Sequence, residues 1–273
     1  MKDCQWIARL LQHGLLKPSF VPPEPIRELR DLTRQRAQLA AECGTVANRI
    51  QKVLEDANIK LASVATDVLG DSGRDMLRAM VEGEEDPGKL AELARKRLRS
   101  KIPQLRLALR GRMTEHHRFL LRLHLDQLEA LEGLMARLVE RIEAAPAPHA
   151  EALARPETIP GVSRRVAEVV LAELGPDMGQ FPSAGHLASW SGMCPGNDES
   201  AGKRRSGKTT KGSRWLKTAP VQAAWAAGRT KGTYLGAQFR RLAARRGAKR
   251  ATVAVGHTLL RIIYHVLRDG TTY

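Results

Sequence analysis

The chain has 273 residues, 42% of them hydrophobic, so it can bury a core and is not a disordered chain. Aromatic residues make up 4%, which leaves few rings for a base-stacking platform, and no run of 18 apolar residues marks a membrane span. The net charge of +16 sits entirely at one end. Ser200 to Tyr273 carries 17 Lys or Arg against the single acid Asp269, whereas Met1 to Glu199 balances 28 basic against 28 acidic residues. A one-sided block of this kind calls for a polyanionic partner, bound by phosphate neutralisation and counterion release, and nucleic acid is the partner expected; the plainer reading is a solvated basic face kept for solubility. The three cysteines (Cys4, Cys43, Cys194) have no metal-ligand spacing and suit a reducing cytoplasm, and the N-terminus is a poor signal peptide.

In chain order, Trp6 to Leu16 reads as a short helix, followed by a Pro-rich link, "KPSFVPPEP", that stops it. A long helix follows. Leu32, Leu39, Cys43, Val46, Ile50, Val53 and Ala57 fall on three- and four-residue steps, with Arg36 the polar interruption, and so predict a coiled-coil seam. Lys60 to Arg112 is helical by pattern and broken at "GDSG" and "EGEEDPG". A second stripe, Leu121, Leu125, Leu128, Leu131, Met135, Leu138 and Ile142, contains one stutter. The two long helices are expected to pair antiparallel, or with a second copy of the chain.

"AAPAPHAEALARP" reads as a linker into the last domain. That domain opens on "TIPGVSRRVAEVVLAEL", where a Pro-Gly turn enters an amphipathic helix. The pattern fits either the second half of a helix-hairpin-helix, with Gly161 as the close-approach glycine to a DNA phosphate, or a plain αα-corner. Val255, Leu259, Ile262, Ile263, Val266 and Leu267 predict a closing amphipathic helix; His257 and His265, on or near it, read as structural histidines. Period-two alternation is almost absent, so no substantial sheet is expected. The fold class is mainly α: long coiled-coil helices followed by a helical, helix-hairpin-helix-like C-terminal domain.

One stretch poses a sharper question. Gly202 to Thr209, "GKRRSGKT", matches the phosphate-cradling G-x-x-x-x-G-K-[ST] loop letter for letter. Its context fails: "CPGNDESA" before it contains no strand, "TKGSRW" after it starts no immediate helix, and the only downstream acid is Asp269. The same residues read more simply as a glycine-hinged basic loop. Gly192, Gly196, Gly202, Gly207 and Gly212 let the backbone approach a ligand closely, and Lys203, Arg204, Arg205, Lys208, Lys211, Arg214 and Lys217 line it with charge for a phosphate backbone. Ser200, at its head, has the surroundings of a nucleophile toward a phosphodiester; the commoner role of a loop serine is a cap or a turn.

The ordered pattern "TIPGV…AEVVLAELG…FPSAGHLASWSGMCPGNDESAGKRRSGKTTKGSRWLK", continuing to "IIYHVLRDGT", resembles the C-terminal domain of the IS one-ten family of insertion-sequence transposases. These are RNA-guided recombinases that pair a RuvC-like DEDD domain with a serine. The resemblance implies that Ser200, in Ser200-Ala201-Gly202-Lys203, bonds covalently to the DNA end. It implies a homo-oligomer assembled through the coiled coil, a guide (bridge) RNA as a further partner, and no membrane. It also implies a bacterial, nucleoid-associated location and Mg2+ as the cofactor of the intact family. "KDCQWIARLL" resembles the stretch carrying the last of the four DEDD acids, so Asp3 is the matching catalytic and metal-binding position. The first three acids have no counterpart, and one carboxylate cannot hold the metal pair. The expected organisation is residues 1–24 as a remnant of the DEDD domain with its Pro-rich link, 25–146 as coiled-coil helices with a helical insert, and 147–273 as the serine-bearing transposase domain. The resemblance thus implies DNA cleavage and strand transfer, impaired by the missing acids; the alternative is a non-catalytic DNA-binding remnant.

Overall fold

The computed structural model describes residues 2–16, 21–144, 150–196 and 198–273. It is mainly α, as the pattern predicts: among the described residues there are twelve α-helices and one two-stranded antiparallel hairpin. No helix among them is long and apolar enough to cross a membrane. The chain divides into two compact units, Gln35–Ala144 on the one hand and Met1–Arg34 with Ala145–Tyr273 on the other.

In the first-named unit, the later part of α2 (Glu24–Asp56) and α6 (Glu115–Glu143) contribute their apolar stripes to one core. Leu39, Val46, Ile50 and Val53 are buried in the same cluster as Leu121, Leu125, Leu128 and Leu131. The helices run antiparallel: Cys43 has Glu132 as an electrostatic neighbour, whereas Arg49, further along α2, has His124, further back along α6. The expected antiparallel pairing is therefore realised within one chain. Thr114 starts α6 with a capping box, its hydroxyl accepting from the His117 N–H while His117 Nδ1 accepts from the Thr114 N–H.

The insert between them holds α3 (Asp71–Val81), α4 (Pro87–Glu92) and α5 (Ile102–Ala108). The "GDSG" sequence begins a helix rather than breaking one. Gly70 is the N-cap of α3, and Gly73, in its first turn, lies so close to the Val68 backbone that a Cβ would sit 2.0 Å from that carbonyl oxygen. In "EGEEDPG" the break is real, and Asp86 restarts the chain as N-cap of α4 by accepting from the Gly88 N–H, with Pro87 in the first turn.

The other unit begins with α1 (Lys2–Gln12), shifted four residues toward the N-terminus from the expected Trp6–Leu16. Leu15 and Leu16 lie beyond the turn at Gly14, whose φ of +64° ends the helix. Of the Pro-rich link, residues 17–20 lie outside the described residues; Pro25 falls in the first turn of α2, where a missing N–H costs nothing. After the chain re-enters the unit, α7 (Ala150–Glu157), α8 (Arg164–Leu174), α9 (Ala184–Trp190), α10 (Arg214–Arg229), α11 (Tyr234–Arg246) and α12 (Ala248–Asp269) enclose a second core. The stretch read as a linker is thus helical from Ala150 onward. Val255, Leu259, Ile263 and Val266 of α12 pack in this core with Val166, Val170 and Leu174 of α8 and the small side chains Ala223, Ala224 and Ala227 of α10. Buried Tyr264 donates its hydroxyl to the Phe181 carbonyl at 2.9 Å, which satisfies its polar end.

The start of α2 is tied to the C-terminal end of α8. Arg30 donates to the carbonyls of Ala172 and Glu173, both at 2.9 Å, groups that a helix end leaves unpaired. This tie groups the first 34 residues with the last domain, where the sequence suggested a division after residue 24.

Candidate functional site

The basic stretch is an ordered ribbon rather than a hinged loop. β1 (Asp198–Ser200) and β2 (Lys203–Ser206) form an antiparallel hairpin with Ser200 opposite Lys203 and Glu199 opposite Arg204. Asp198 pairs with Ser206, which leaves Arg205 as the extra residue of a bulge. The two residues between the strands, Ala201 and Gly202, have φ of +51° and +72°, the signs that a type I′ turn requires. A short strand therefore precedes Gly202 after all. It is an exposed hairpin strand with an antiparallel neighbour, however, and β2 occupies the place where a phosphate-cradling loop would bend into its helix.

Below the hairpin the two arms stay paired. Pro195 and Thr209 form a bridge, Gly196 donates to the Lys208 carbonyl at 2.7 Å and Thr210 to that of Cys194 at 3.0 Å. At the base, Gly192 and Gly212 meet backbone to backbone: a Cβ on Gly212 would lie 2.4 Å from the Gly192 nitrogen. Gly192, Gly196 and Gly212 thus serve close approach within the ribbon itself, not hinge motion.

Register explains the order Ser-Ala-Gly-Lys. Residues directly opposite across an antiparallel pair share a face, with Cβ atoms about 4.5–5.5 Å apart. Ser200 and Lys203 are such a pair, and both are exposed. The two-residue turn therefore sets a hydroxyl and an ammonium side by side at the tip. Among the described residues no side chain hydrogen-bonds the Ser200 hydroxyl.

The other candidate residues fall into distinct groups. Lys208, Lys211 and Arg214 are exposed, and the Arg214 guanidinium lies 4.4 Å from the centre of the Trp215 ring. Lys217 is half-buried and donates to the Thr209 hydroxyl, so it anchors the ribbon to α10. The side chains of Arg204 and Arg205 lie outside the described residues. Gly161 occupies the third position of a turn closed by the Val162 N–H on the Ile159 carbonyl, after Pro160, with φ of +90°. A Cβ there would lie 2.5 Å from the Ala223 carbonyl oxygen of α10, so the close approach that the sequence assigned to DNA is made to a helix of the same unit.

Sequence spacing gave no sign of the charge that holds the ribbon's root. Glu173, almost fully buried, accepts from Arg34 through both oxygens, Nε to Oε1 at 2.7 Å and Nη2 to Oε2 at 2.9 Å. Its Oε2 also accepts from the Ser213 hydroxyl at 3.2 Å, and that hydroxyl accepts from the Leu216 N–H as N-cap of α10. The hydrogen bond to Glu173 is the main influence raising the Arg34 pKa, so this guanidinium stays charged. One carboxylate thus joins the start of α2, the end of α8 and the residue where the ribbon enters α10.

Asp3 is exposed in the first turn of α1. Among the described residues no group of three or more His, Cys, Asp or Glu could hold a metal ion, so the residues present do not fit a metal pair.

Comparison with known families bears on both ends of the chain. Residues 154–240, which contain the ribbon, Gly161 and Glu173, match a model described as Transposase IS116/IS110/IS902 family. Residues 1–59 match the DEDD domain model of the same transposases, described as Transposase. No curated protein matches the chain. Two separate models of one family, in the expected order and each covering a stretch in which motifs were read, place it: the chain belongs to the IS116/IS110/IS902 family of insertion-sequence transposases.

Proposed function

We propose that Ser200 is the nucleophile of this transposase and that the ribbon lies against DNA. The observation that carries this reading is the Ser200–Lys203 pair at the exposed tip of a hairpin whose neighbouring side chains supply positive charge. In the reaction, Oγ of Ser200 bonds to phosphorus, the bond from phosphorus to one sugar oxygen breaks, and the serine proton passes through a base to the departing oxygen. The phosphodiester is exchanged rather than hydrolysed, so a second hydroxyl can later displace the serine and join the strands. Lys203, on the serine's face, offsets the charge that builds on the phosphate oxygens. Lys208, Lys211 and Arg214 hold the flanking phosphates.

A second reading needs only the ribbon's charge: a protein that binds DNA without reacting with it. The two separate in one experiment. The chain is incubated with end-labelled DNA, denatured, and examined for protein-linked label. The nucleophile reading expects a covalent product that Ser200→Ala abolishes while DNA affinity stays within about twofold, an exposed hydroxyl contributing little to binding. Equal label with Ser200→Ala overturns the assignment of Ser200, and no label from the unaltered chain favours the binding protein.

A further inference from the structure

Beside the ribbon's base lies a groove of about 880 Å³. It is bounded by the ribbon on one side and by α11 and α12 on the other. Its volume is in the range of sites that enclose a small molecule or a single nucleotide. Lys208 from the ribbon and Lys249 and Arg250 from the start of α12 contribute cations, and none of the lining residues is acidic. The floor is apolar, made by Met193, Val253 and Ala254.

The remaining wall is polar but uncharged. His257 is half-buried, and burial, followed by the nearby Arg261, pushes its pKa down, so its imidazole is neutral at neutral pH and offers one donor and one acceptor. Thr258 donates its hydroxyl to the Ala254 carbonyl and accepts from Gln238 Nε2 at 3.0 Å. That orientation leaves Gln238 Oε1 buried without a partner among the described residues.

We propose that this groove seats one unpaired nucleotide of a DNA strand, its phosphates on Lys208, Lys249 and Arg250 and its base on Met193, Val253 and Ala254. Duplex backbone alone would meet the cations but leave the apolar floor wet, and a paired base enters only at the cost of unpairing and unstacking, which an unpaired one largely avoids. The polar wall suits a base edge, which presents both donors and acceptors. The inference rests on the reading that the ribbon lies on DNA. Pro195 lines the groove and Ser200 is five residues further along the same arm, at most about 18 Å away for an extended chain. The seated nucleotide is therefore within a few steps of the phosphate that Ser200 attacks.

The test is a binding measurement that needs no chemistry. Affinities of the full chain are compared for a paired duplex and for the same duplex with one unpaired nucleotide, using the unaltered protein, Ser200→Ala and Ala254→Trp. Ala254 is exposed on α12, so the indole fills the groove without entering the core or changing the charge. The unaltered protein and Ser200→Ala should prefer the unpaired site by about tenfold, the order expected from taking one base face out of water against apolar side chains. Ala254→Trp should bind both duplexes with the affinity of the paired one. A 2-aminopurine at the unpaired position should change its emission on binding to the unaltered protein, a readout independent of any variant. Equal affinity of the unaltered protein for both duplexes, or a preference kept by Ala254→Trp, overturns the proposal. A preference without any covalent product leaves the groove standing while the serine assignment falls. Failure to bind either duplex overturns both readings.

Discussion

The helical unit and the stretch from the ribbon onward use arginine differently. In Gln35–Ala144, Arg74 pairs with Glu132, Arg78 with Glu129, Arg95 with Asp75, Arg106 with Glu92 and Arg118 with Glu85. Each of these five cations is met by a carboxylate of the same unit, most of them on a neighbouring helix, and the pairs help to fix how the helices sit. In the ribbon and the helices after it, the only acid beyond Ser200 is Asp269, which is taken by Arg268 at 2.6 Å. The helical unit sets carboxylates against its arginines, whereas the stretch from the ribbon onward has almost no acid to meet its cations.

Before the ribbon, its own unit pairs Arg34, Arg155 and Arg164 with carboxylates, and Arg34 predicts the largest stability effect. Removing it leaves the Glu173 carboxylate buried with only the Ser213 hydroxyl. Arg34→Ala should destabilise by about 3–5 kcal/mol, the range for stranding one member of a buried pair. Glu173→Gln keeps the shape and strands only a half-exposed guanidinium, so it should cost less. Urea unfolding of both variants checks the order. If Glu173→Gln proves the more costly, the carboxylate is doing something other than balancing Arg34.

The next experiment tests the contrast itself. Replacing Lys203, Arg204 and Arg205 by Ala should weaken DNA binding and flatten its salt dependence by about 0.9 in slope for each phosphate no longer neutralised. Replacing Arg78, Arg95 and Arg106, all exposed, removes the same charge but should leave affinity and slope unchanged, at a stability cost of about 0–1 kcal/mol for each pair. An equal fall in slope in both sets would mean that net charge, not the ribbon, attracts the DNA.

How far the sequence carried these conclusions depends on what holds each part. The stripes of α2 and α6 were legible because side-chain packing at helical spacing leaves its period in the letters, and Leu39, Val46, Leu121 and Leu128 are buried where that period put them. The hairpin was illegible for the complementary reason. Its sequence, "DESAGKRRS", has no apolar alternation, since the ribbon is held by main-chain pairing and by glycines that meet only in space, Gly192 with Gly212. Ser200 entered through family resemblance, while its pairing with Lys203 needed the register. The Arg34–Glu173–Ser213 link spans 139 and 40 residues along the chain, separations at which no local spacing rule operates. His257 reads as a structural histidine because no Cys or acid cluster accompanies it along the sequence, and its neighbours in the groove, Lys208 and Met193, lie on a different element.

The smallest predicted effect concerns the turn that sets Ser200 against Lys203. Ala201 is one of the few non-glycine residues with positive φ, a conformation that costs an alanine about 1–2 kcal/mol. Asn tolerates the left-handed region and, followed by Gly202, completes the Asn-Gly pair that type I′ turns favour, without the backbone entropy that a glycine adds to the unfolded chain. Ala201→Asn should therefore stabilise the hairpin locally by about 1 kcal/mol, slowing hydrogen exchange of the β1 and β2 amides about fivefold. The core of the helical unit should not respond, because it is a separate compact unit. Ala201→Val, with a β-branched side chain in the same backbone region, should speed exchange instead. Unchanged exchange in both variants would mean that main-chain pairing at Pro195 and Thr209, not the turn, fixes the register that brings the serine and the lysine together.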